Sequence, residues 1–213
     1  MKIKHLALPV VAMMLTVTTV TAQTAKDVFD KSVKLTYLGI DFTKTKLIGE
    51  AAAKEDLVVE NNFPDINQKV VNEPKRYDLA GAFGRDEVST DIGVTNKRNT
   101  KADPDKLKSD NSDDYQLLKP EDVASMVKGY DFSGKTGVGV IFFMEGMNKT
   151  KKEVSMYVTF VDMKSRKVLF TERVEGKTGM AFGFSNYYLS GIKKAVEDIE
   201  KKKFKEWKSS HGG

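Results

Sequence analysis

Three consecutive strand-like segments, followed by a long amphipathic segment, constrain the fold of this chain most strongly. The three segments span 137–147, 152–163 and 167–177, and short polar connections at 148–151 and 164–166 separate them. Connections of this length predict antiparallel hairpins. The middle segment carries apolar residues on both of its faces, which predicts a central strand that is covered on both sides.

The last long segment, 184–208, predicts a helix. Tyr188, Ile192, Val196 and Ile199 recur at helical spacing and form one apolar stripe. Because such a stripe must be buried, we expect this helix to lie on one face of the sheet. The predicted fold class is therefore α+β, with a mixed or mostly antiparallel sheet that ends in a three-stranded meander and is covered by a long C-terminal helix.

Hydropathy patterns are weaker in the first half of the chain. They predict strands at 32–40, 46–49, 77–82 and 87–94, and helices at 63–72 and 120–128. Residues 96–114 include ten charged side chains and a single leucine, which predicts a polar loop in solvent. We expect one α+β domain over 23–208, with this loop inside it, and a flexible tail at 209–213.

The N-terminal segment 1–22 has the pattern of a secretory signal peptide. Lys2 and Lys4 precede the largely apolar stretch 6–20, and Val20, Thr21 and Ala22 supply small residues at the expected cleavage site. The pattern predicts export, to the periplasm or the medium. We expect no transmembrane segment in the mature chain, since the one long apolar stretch belongs to this leader.

Composition excludes several chemistries. The chain has no cysteine and two histidines, His5 in the predicted leader and His211 in the predicted tail. Disulfides, cysteine nucleophiles and cysteine-based metal sites are therefore excluded, and no histidine is held where a catalytic triad would need it. We expect no catalytic residue, no metal and no cofactor. Removing Lys2 and Lys4 lowers the formal net charge from +5 to +3, which predicts no nucleic-acid binding.

Two short motifs match known ligand-binding patterns only in part. Residues 129–136 have the letters of a Walker A motif, but a predicted helix precedes them and a predicted strand follows, which is the reverse of a phosphate-binding loop. Residues 110–121 have the oxygen spacing of an EF-hand loop, but Tyr115 takes the place of its glycine. We interpret the first as a turn and the second as a solvated acidic loop.

The connection between the last strand and the last helix is the preferred binding segment. It combines glycines, which allow a ligand to approach the backbone, with aromatic side chains that can wall an apolar pocket. The alternative is a flexible connection whose aromatic residues fix the helix to the sheet. The candidate ligand-binding residues are Gly179, Phe182, Gly183, Phe184, Asn186 and Tyr187.

A carboxylate pair is the one catalytic arrangement that composition leaves open. Asp41, Asp131 and Asp162 are the acidic residues nearest to apolar segments, although each also fits a turn at a strand end. A pair of such groups would support a hydrolase, since glycosidases use two carboxylates.

Two stretches carry a resemblance to a known class of protein. The stretch Val158 to Phe170, with Asp162 and Ser165 at its turn, and the stretch Tyr37 to Phe42 resemble elements of small bacterial envelope proteins of unknown function. Many of those proteins are lipoproteins, whereas this chain lacks the lipid-bearing cysteine. The resemblance supplies no catalytic residues. With the leader, it implies an exported, non-enzymatic binding or interaction protein of the cell envelope, whose partner is an envelope protein or a small apolar ligand. The alternatives are the carboxylate-dependent hydrolase and a carrier of a lipid or other apolar ligand.

Overall fold

The structure is a computed structural model that describes residues 23–212. The predicted signal peptide at 1–22 lies outside the described residues. Seven strands form one sheet: β1 (Leu35–Asp41), β2 (Lys46–Ile48), β3 (Ser89–Thr90), β4 (Lys108–Ser109), β5 (Val138–Asn148), β6 (Glu153–Asp162) and β7 (Lys167–Lys177).

The predicted fold class is wrong, because most strand pairs in the sheet are parallel. β1 pairs with β3 and β5, and β2 pairs with β4 and β5, all in parallel, whereas β5–β6 and β6–β7 are antiparallel. The result is a mostly parallel sheet that forms a half-barrel with its helices, an α/β-type fold rather than the predicted α+β sheet with a meander. Parallel strands need long crossover connections, so their pairing leaves no local signal in the sequence.

Strand β5 occupies the centre of the sheet. One of its edges pairs with β6 along nearly its whole length, and the other pairs with β1 and then with β2. Every residue of β5 and β6 is buried, as expected for strands that are covered on both faces. The 152–163 segment, predicted to be covered on both sides, is strand β6, which lies between β5 and β7 and is buried along its whole length.

Eight α-helical segments accompany the strands within residues 23–212: α1 (Ala25–Phe29), α2 (Glu55–Leu57), α3 (Phe63–Asn72), α4 (Leu79–Ala82), α5 (Gly93–Asn99), α6 (Pro120–Lys128), α7 (Phe184–Asp198) and α8 (Phe204–His211). Helices α3 and α6 have the predicted bounds. The C-terminal helix continues through a π-helical turn, Ile199–Lys203, and ends three residues beyond the predicted limit. The strand predicted at 77–82 is wrong, because helix α4 lies there. Helix α5 ends within the segment 96–114, which also contains β4, one 3-10 turn (Pro104–Lys106) and the start of another (Ser112–Gln116).

Apolar side chains pack on both faces of the sheet. The larger core lies beneath α3 and α7 and includes Phe42, Phe63, Phe142 and Phe160. The smaller core lies beneath α6 and includes Tyr130 and Phe143. Among residues 23–212, no helix combines the length and the apolar character that crossing a membrane requires.

Strand β7 and helix α7 are held in close contact by two glycines. A Cβ atom added to Gly176 would overlap the backbone of Gly191, so only a residue without a side chain fits there. This contact fixes the end of β7 against the second turn of α7. The connection between them, 178–183, is therefore a loop that is anchored at its start against α7.

Two buried asparagines complete the hydrogen bonding of β1 where no neighbouring strand reaches. The amide of Asn67 accepts from the Ile40 N–H at 2.7 Å and donates to the Ile40 carbonyl at 3.0 Å. Asn99 accepts from the Phe42 N–H at 2.8 Å and donates to the same carbonyl at 2.9 Å. The side chains replace a neighbouring strand, since buried backbone groups must be paired.

We expect Asn67→Leu to lower the free energy of unfolding by about 1–3 kcal/mol, because it leaves the buried Ile40 N–H without an acceptor. Urea unfolding followed by circular dichroism measures this change. Asn72→Leu, on the exposed side of the same helix, is the control and should stay within about 0.5 kcal/mol of the parent. Equal effects of the two substitutions would contradict this role for Asn67.

Candidate functional site

The loop between β7 and α7 forms one wall of a cavity on the protein surface. The cavity has a volume of about 730 Å³ and mostly apolar walls. We call it the 178–182 groove; its lining residues are Lys152, Thr178, Gly179, Met180, Ala181, Phe182 and Tyr187.

Two large apolar side chains of this loop lie in water. Met180 is fully exposed and Phe182 is 97% exposed. The other large exposed apolar residues of the described chain, Leu57 and Leu117, keep about half of their surface buried. Exposed apolar residues that adjoin a cavity are typical of binding surfaces.

The turn between β5 and β6 contributes Lys152 to the lining of the groove. The Thr178 N–H donates to the Lys152 carbonyl at 2.9 Å, which ties the loop to that turn. Lys152 has a φ of +53°, a left-handed conformation that is uncommon for residues other than glycine. Of the lysines in this turn, Lys152 lines the groove, whereas the Lys151 ammonium lies 4.9 Å from the centre of the Tyr115 ring.

A second cavity of about 340 Å³ adjoins the groove and shares Ala181 and Tyr187 with it. We call it the Glu50 cavity, because the buried Glu50 carboxylate is its main polar group. Oε1 of Glu50 accepts from the Tyr188 hydroxyl at 2.7 Å, and Oε2 lies 3.1 Å from the Lys149 ammonium. Burial, together with this bond to Glu50, raises the pKa of Tyr188 well above its ordinary value. The hydroxyl therefore stays protonated and donates to Glu50.

The structure brings five of the six predicted binding residues to these cavities. Gly179 and Phe182 line the groove, Gly183 and Phe184 line the Glu50 cavity, and Tyr187 lines both. Asn186 lies elsewhere: it donates to the Phe182 carbonyl at 3.1 Å and accepts from Lys69. That these residues bind a ligand stays a prediction.

The glycines and aromatic residues of the segment have different roles. Gly183 has a φ of +82°, so a glycine is favoured where the loop enters α7. A Cβ atom at Gly179 would meet open space, so no close approach requires glycine there. Phe184 and Tyr187 pack on the larger core, as in the alternative that they fix the helix. Phe182 is too exposed to do so.

Sequence reasoning missed the polar part of this site. Glu50, Lys149 and Lys152 come from turns that are far from the predicted segment along the chain. The only available signal was the cluster of lysines in the 149–152 turn. Glu50 gave none, because its partner Tyr188 lies 138 residues away.

The three candidate carboxylates have structural partners. Asp41 is fully buried and accepts from the Arg98 Nε–H at 2.8 Å and the Tyr130 hydroxyl at 2.7 Å. Asp162 accepts from the Lys164 N–H and the Ser165 hydroxyl in the β6–β7 turn. Asp131 is exposed and accepts from the Ser133 N–H. Each carboxylate thus stabilises a turn or a strand end.

The two partial motifs form connections. The Walker-like residues 129–136 link α6 to β5, and the Lys135 ammonium pairs with Asp91 at 3.0 Å. In the acidic segment, Asp114 accepts from the side chains of Ser109 and Asn111. Within residues 23–212, no group of three or more His, Cys, Asp or Glu side chains is placed to hold a metal ion.

Comparison with known proteins yields little. No protein-family model matches the sequence, and no curated protein matches it. Among solved structures, the crystal structure of lipoprotein GNA1162 from Neisseria meningitidis is similar at a TM-score of 0.31 and 13% identity, over 80% of this chain and 98% of that chain. A TM-score this low does not establish a common fold.

Proposed function

We propose that this protein is an exported, non-enzymatic binding protein of the bacterial cell envelope that holds the apolar chain of a lipid-like ligand in the 178–182 groove. The observation that carries the proposal is the pair of exposed side chains, Met180 and Phe182, on the groove wall. Burying one such side chain fully is worth about 1.5–3 kcal/mol. A bound apolar chain would supply that burial.

The size of the groove suits a small ligand. Pockets that bind small molecules have volumes of roughly 300–1,000 Å³, and the groove, at about 730 Å³, lies within that range. Its walls are mostly apolar, and its one charged lining residue, Lys152, comes from the β5–β6 turn. This division favours an amphiphile over a uniformly polar ligand.

The charges around the groove favour an anionic head group. Lys152 lines the groove directly, and Lys149, from the same turn, lines the adjoining Glu50 cavity. The Glu50 carboxylate neutralises Lys149, whereas Lys152 forms no ion pair among the described residues. A fatty acid, with one carboxylate and one apolar chain, is the simplest ligand of this type.

Export supports the same proposal. The leader pattern at 1–22 predicts a protein outside the cytoplasm, where amphiphiles must cross an aqueous layer between membranes. The hydrolase alternative is less well supported, because Asp41 and Asp162 already accept bonds from neighbouring groups.

A titration with a fluorescent fatty acid tests the proposal. We expect residues 23–213 to bind it, and Met180→Ser/Phe182→Ser to weaken binding at least about tenfold, since tenfold corresponds to only about 1.4 kcal/mol. Leu57→Ser/Leu117→Ser, which removes the other exposed apolar side chains, is the matched control and should bind as the parent does. Absence of binding by the parent, or equal losses in the two variants, would overturn the proposal.

A further inference from the structure

A separate polar cavity lies between helix α5 and the turn after helix α6. Its volume is about 220 Å³. We call it the α5 cavity; its lining residues are Val94, Lys97, Arg98, Lys101, Gly129, Tyr130, Asp131 and Ser133. No residue of this cavity lines the groove or the Glu50 cavity. Three basic side chains meet here within five positions of the sequence.

Arg98 is held in a fixed position on the cavity wall. Its Nε–H donates to Asp41 at 2.8 Å, one Nη1–H donates to the Gly129 carbonyl at 3.1 Å, and its guanidinium carbon lies 4.6 Å from the centre of the Tyr130 ring. A guanidinium has five N–H groups, so three have no acceptor among the described residues. Because the side chain is already ordered, binding an anion would cost little further conformational entropy.

Lys97 and Lys101 add charge that nothing nearby neutralises. Neither forms an ion pair with any residue in the described part of the chain, whereas the neighbouring Lys106 pairs with Asp103 and Lys135 pairs with Asp91. A helix C-terminus favours cations, which explains a lysine near the end of α5. It does not explain why two lysines and an ordered arginine face one cavity.

Two carboxylates reduce the positive charge of the site. The buried Asp41 carboxylate neutralises the Arg98 guanidinium. Asp131 lies at the cavity wall, and its Oδ1 accepts from the Ser133 N–H. The remaining charge comes from the two lysines, opposed by Asp131. The site therefore suits a small, highly charged anion that uses both lysines and the free N–H groups of Arg98.

We infer that the α5 cavity binds a phosphate monoester. Its volume accommodates a phosphate group with a few attached atoms, and a phosphate monoester carries nearly two negative charges at neutral pH. Arginine presents a planar set of donors to phosphate oxygens, and lysine contributes as a point charge. Four residues of the Walker-like motif line the cavity: Gly129, Tyr130, Asp131 and Ser133. The lysine of the motif, Lys135, is not among the lining residues and pairs with Asp91.

Calorimetric titration of residues 23–213 with inorganic phosphate and with glycerol phosphate, at pH 7.5 and low salt, tests this inference. We expect Lys97→Ala/Lys101→Ala to weaken binding at least about tenfold through loss of two charge-assisted contacts. Asp131→Asn should tighten binding by about threefold, because it removes a like charge from the wall. The matched control is Lys205→Ala/Lys208→Ala on the exposed side of α8, which should leave affinity unchanged. A thermal melt of each variant verifies folding.

A second experiment distinguishes a soluble phosphate monoester from one that is part of a lipid. Sedimentation with vesicles that contain phosphatidic acid reports binding to a phosphate monoester on a lipid. Binding in either arm that depends on Lys97 and Lys101 supports the inference and identifies a soluble or a membrane source. Absence of binding in both arms, equal weakening by the control pair, or weaker binding by Asp131→Asn would overturn it.

Discussion

Glu145→Ala is expected to lower the free energy of unfolding by about 3 kcal/mol, because it leaves Arg173 without its counter-ion. Arg173 is 30% exposed, so water replaces part of the lost pairing, and the loss lies at the lower end of the range for buried ion pairs. The Glu145 carboxylate is buried on β5 and forms a two-point ion pair with Arg173, with Nε–Oε2 and Nη2–Oε1 distances of 2.9 Å. It also accepts from the Leu118 N–H at 2.8 Å and from the Ser155 hydroxyl at 2.9 Å. The ion pair thereby ties the segment before α6 to the sheet.

Urea unfolding of the purified variant measures this loss. Glu60→Ala, at an exposed position, is the control and should change stability by no more than about 0.5 kcal/mol. The variant Glu145→Met/Arg173→Met removes both charges and should recover part of the loss, because a buried ion pair often contributes little beyond apolar packing. The rest of the loss should persist, since the Leu118 N–H and the Ser155 hydroxyl stay without their acceptor. A Glu145→Ala variant as stable as the parent would contradict this account of the pair.

Asp41→Ala is expected to cost about 3 kcal/mol or more, for the same physical reason. The substitution leaves the Arg98 Nε–H, the buried Tyr130 hydroxyl and the Thr43 N–H without their acceptor. Because Arg98 is 22% exposed, water replaces part of the lost pairing, which places this loss at the lower end of the range. Unfolding of Asp41→Ala, compared with Asp131→Ala, measures the effect.

The comparison of these two aspartates also bears on the hydrolase alternative. Asp131 is exposed and should tolerate alanine with a change of no more than about 0.5 kcal/mol. If Asp41→Ala unfolded like the parent and abolished a hydrolytic activity, Asp41 would be a catalytic group and the binding account would be wrong.

Local patterns predicted the long strands and helices of this chain but not the class of its sheet. Each of the last three strands is ten or eleven residues long and is separated from the next by a polar turn, so their hydropathy identifies them. The parallel partners β2, β3 and β4 have only two or three residues each, too few for any periodicity. The pairing of β1 with β5 joins residues about a hundred positions apart.

The same limit applies to the site. The 178–187 segment was identifiable because glycines and aromatic residues stand together in a connection between two strongly patterned elements. Glu50 and Lys149 meet Tyr188 only through the folded sheet, and an isolated glutamate in a turn has no distinguishing neighbour in sequence. Sequence reasoning also missed the buried residues Asn67 and Asn99. Their role depends on the part of the β1 edge that has no neighbouring strand, and the sequence does not show which part that is.

The most direct test of ligand binding in the 178–182 groove uses the methionine methyl groups as probes. Among residues 23–212, Met180 is fully exposed, whereas Met126, Met144, Met147, Met156 and Met163 are buried. Spectra of isotope-labelled methionine methyl groups, recorded during titration with a fatty acid, should show the Met180 signal shifting to saturation while the five buried signals stay in place. A Met180 signal that does not move, or six signals that move together, would contradict binding in the groove.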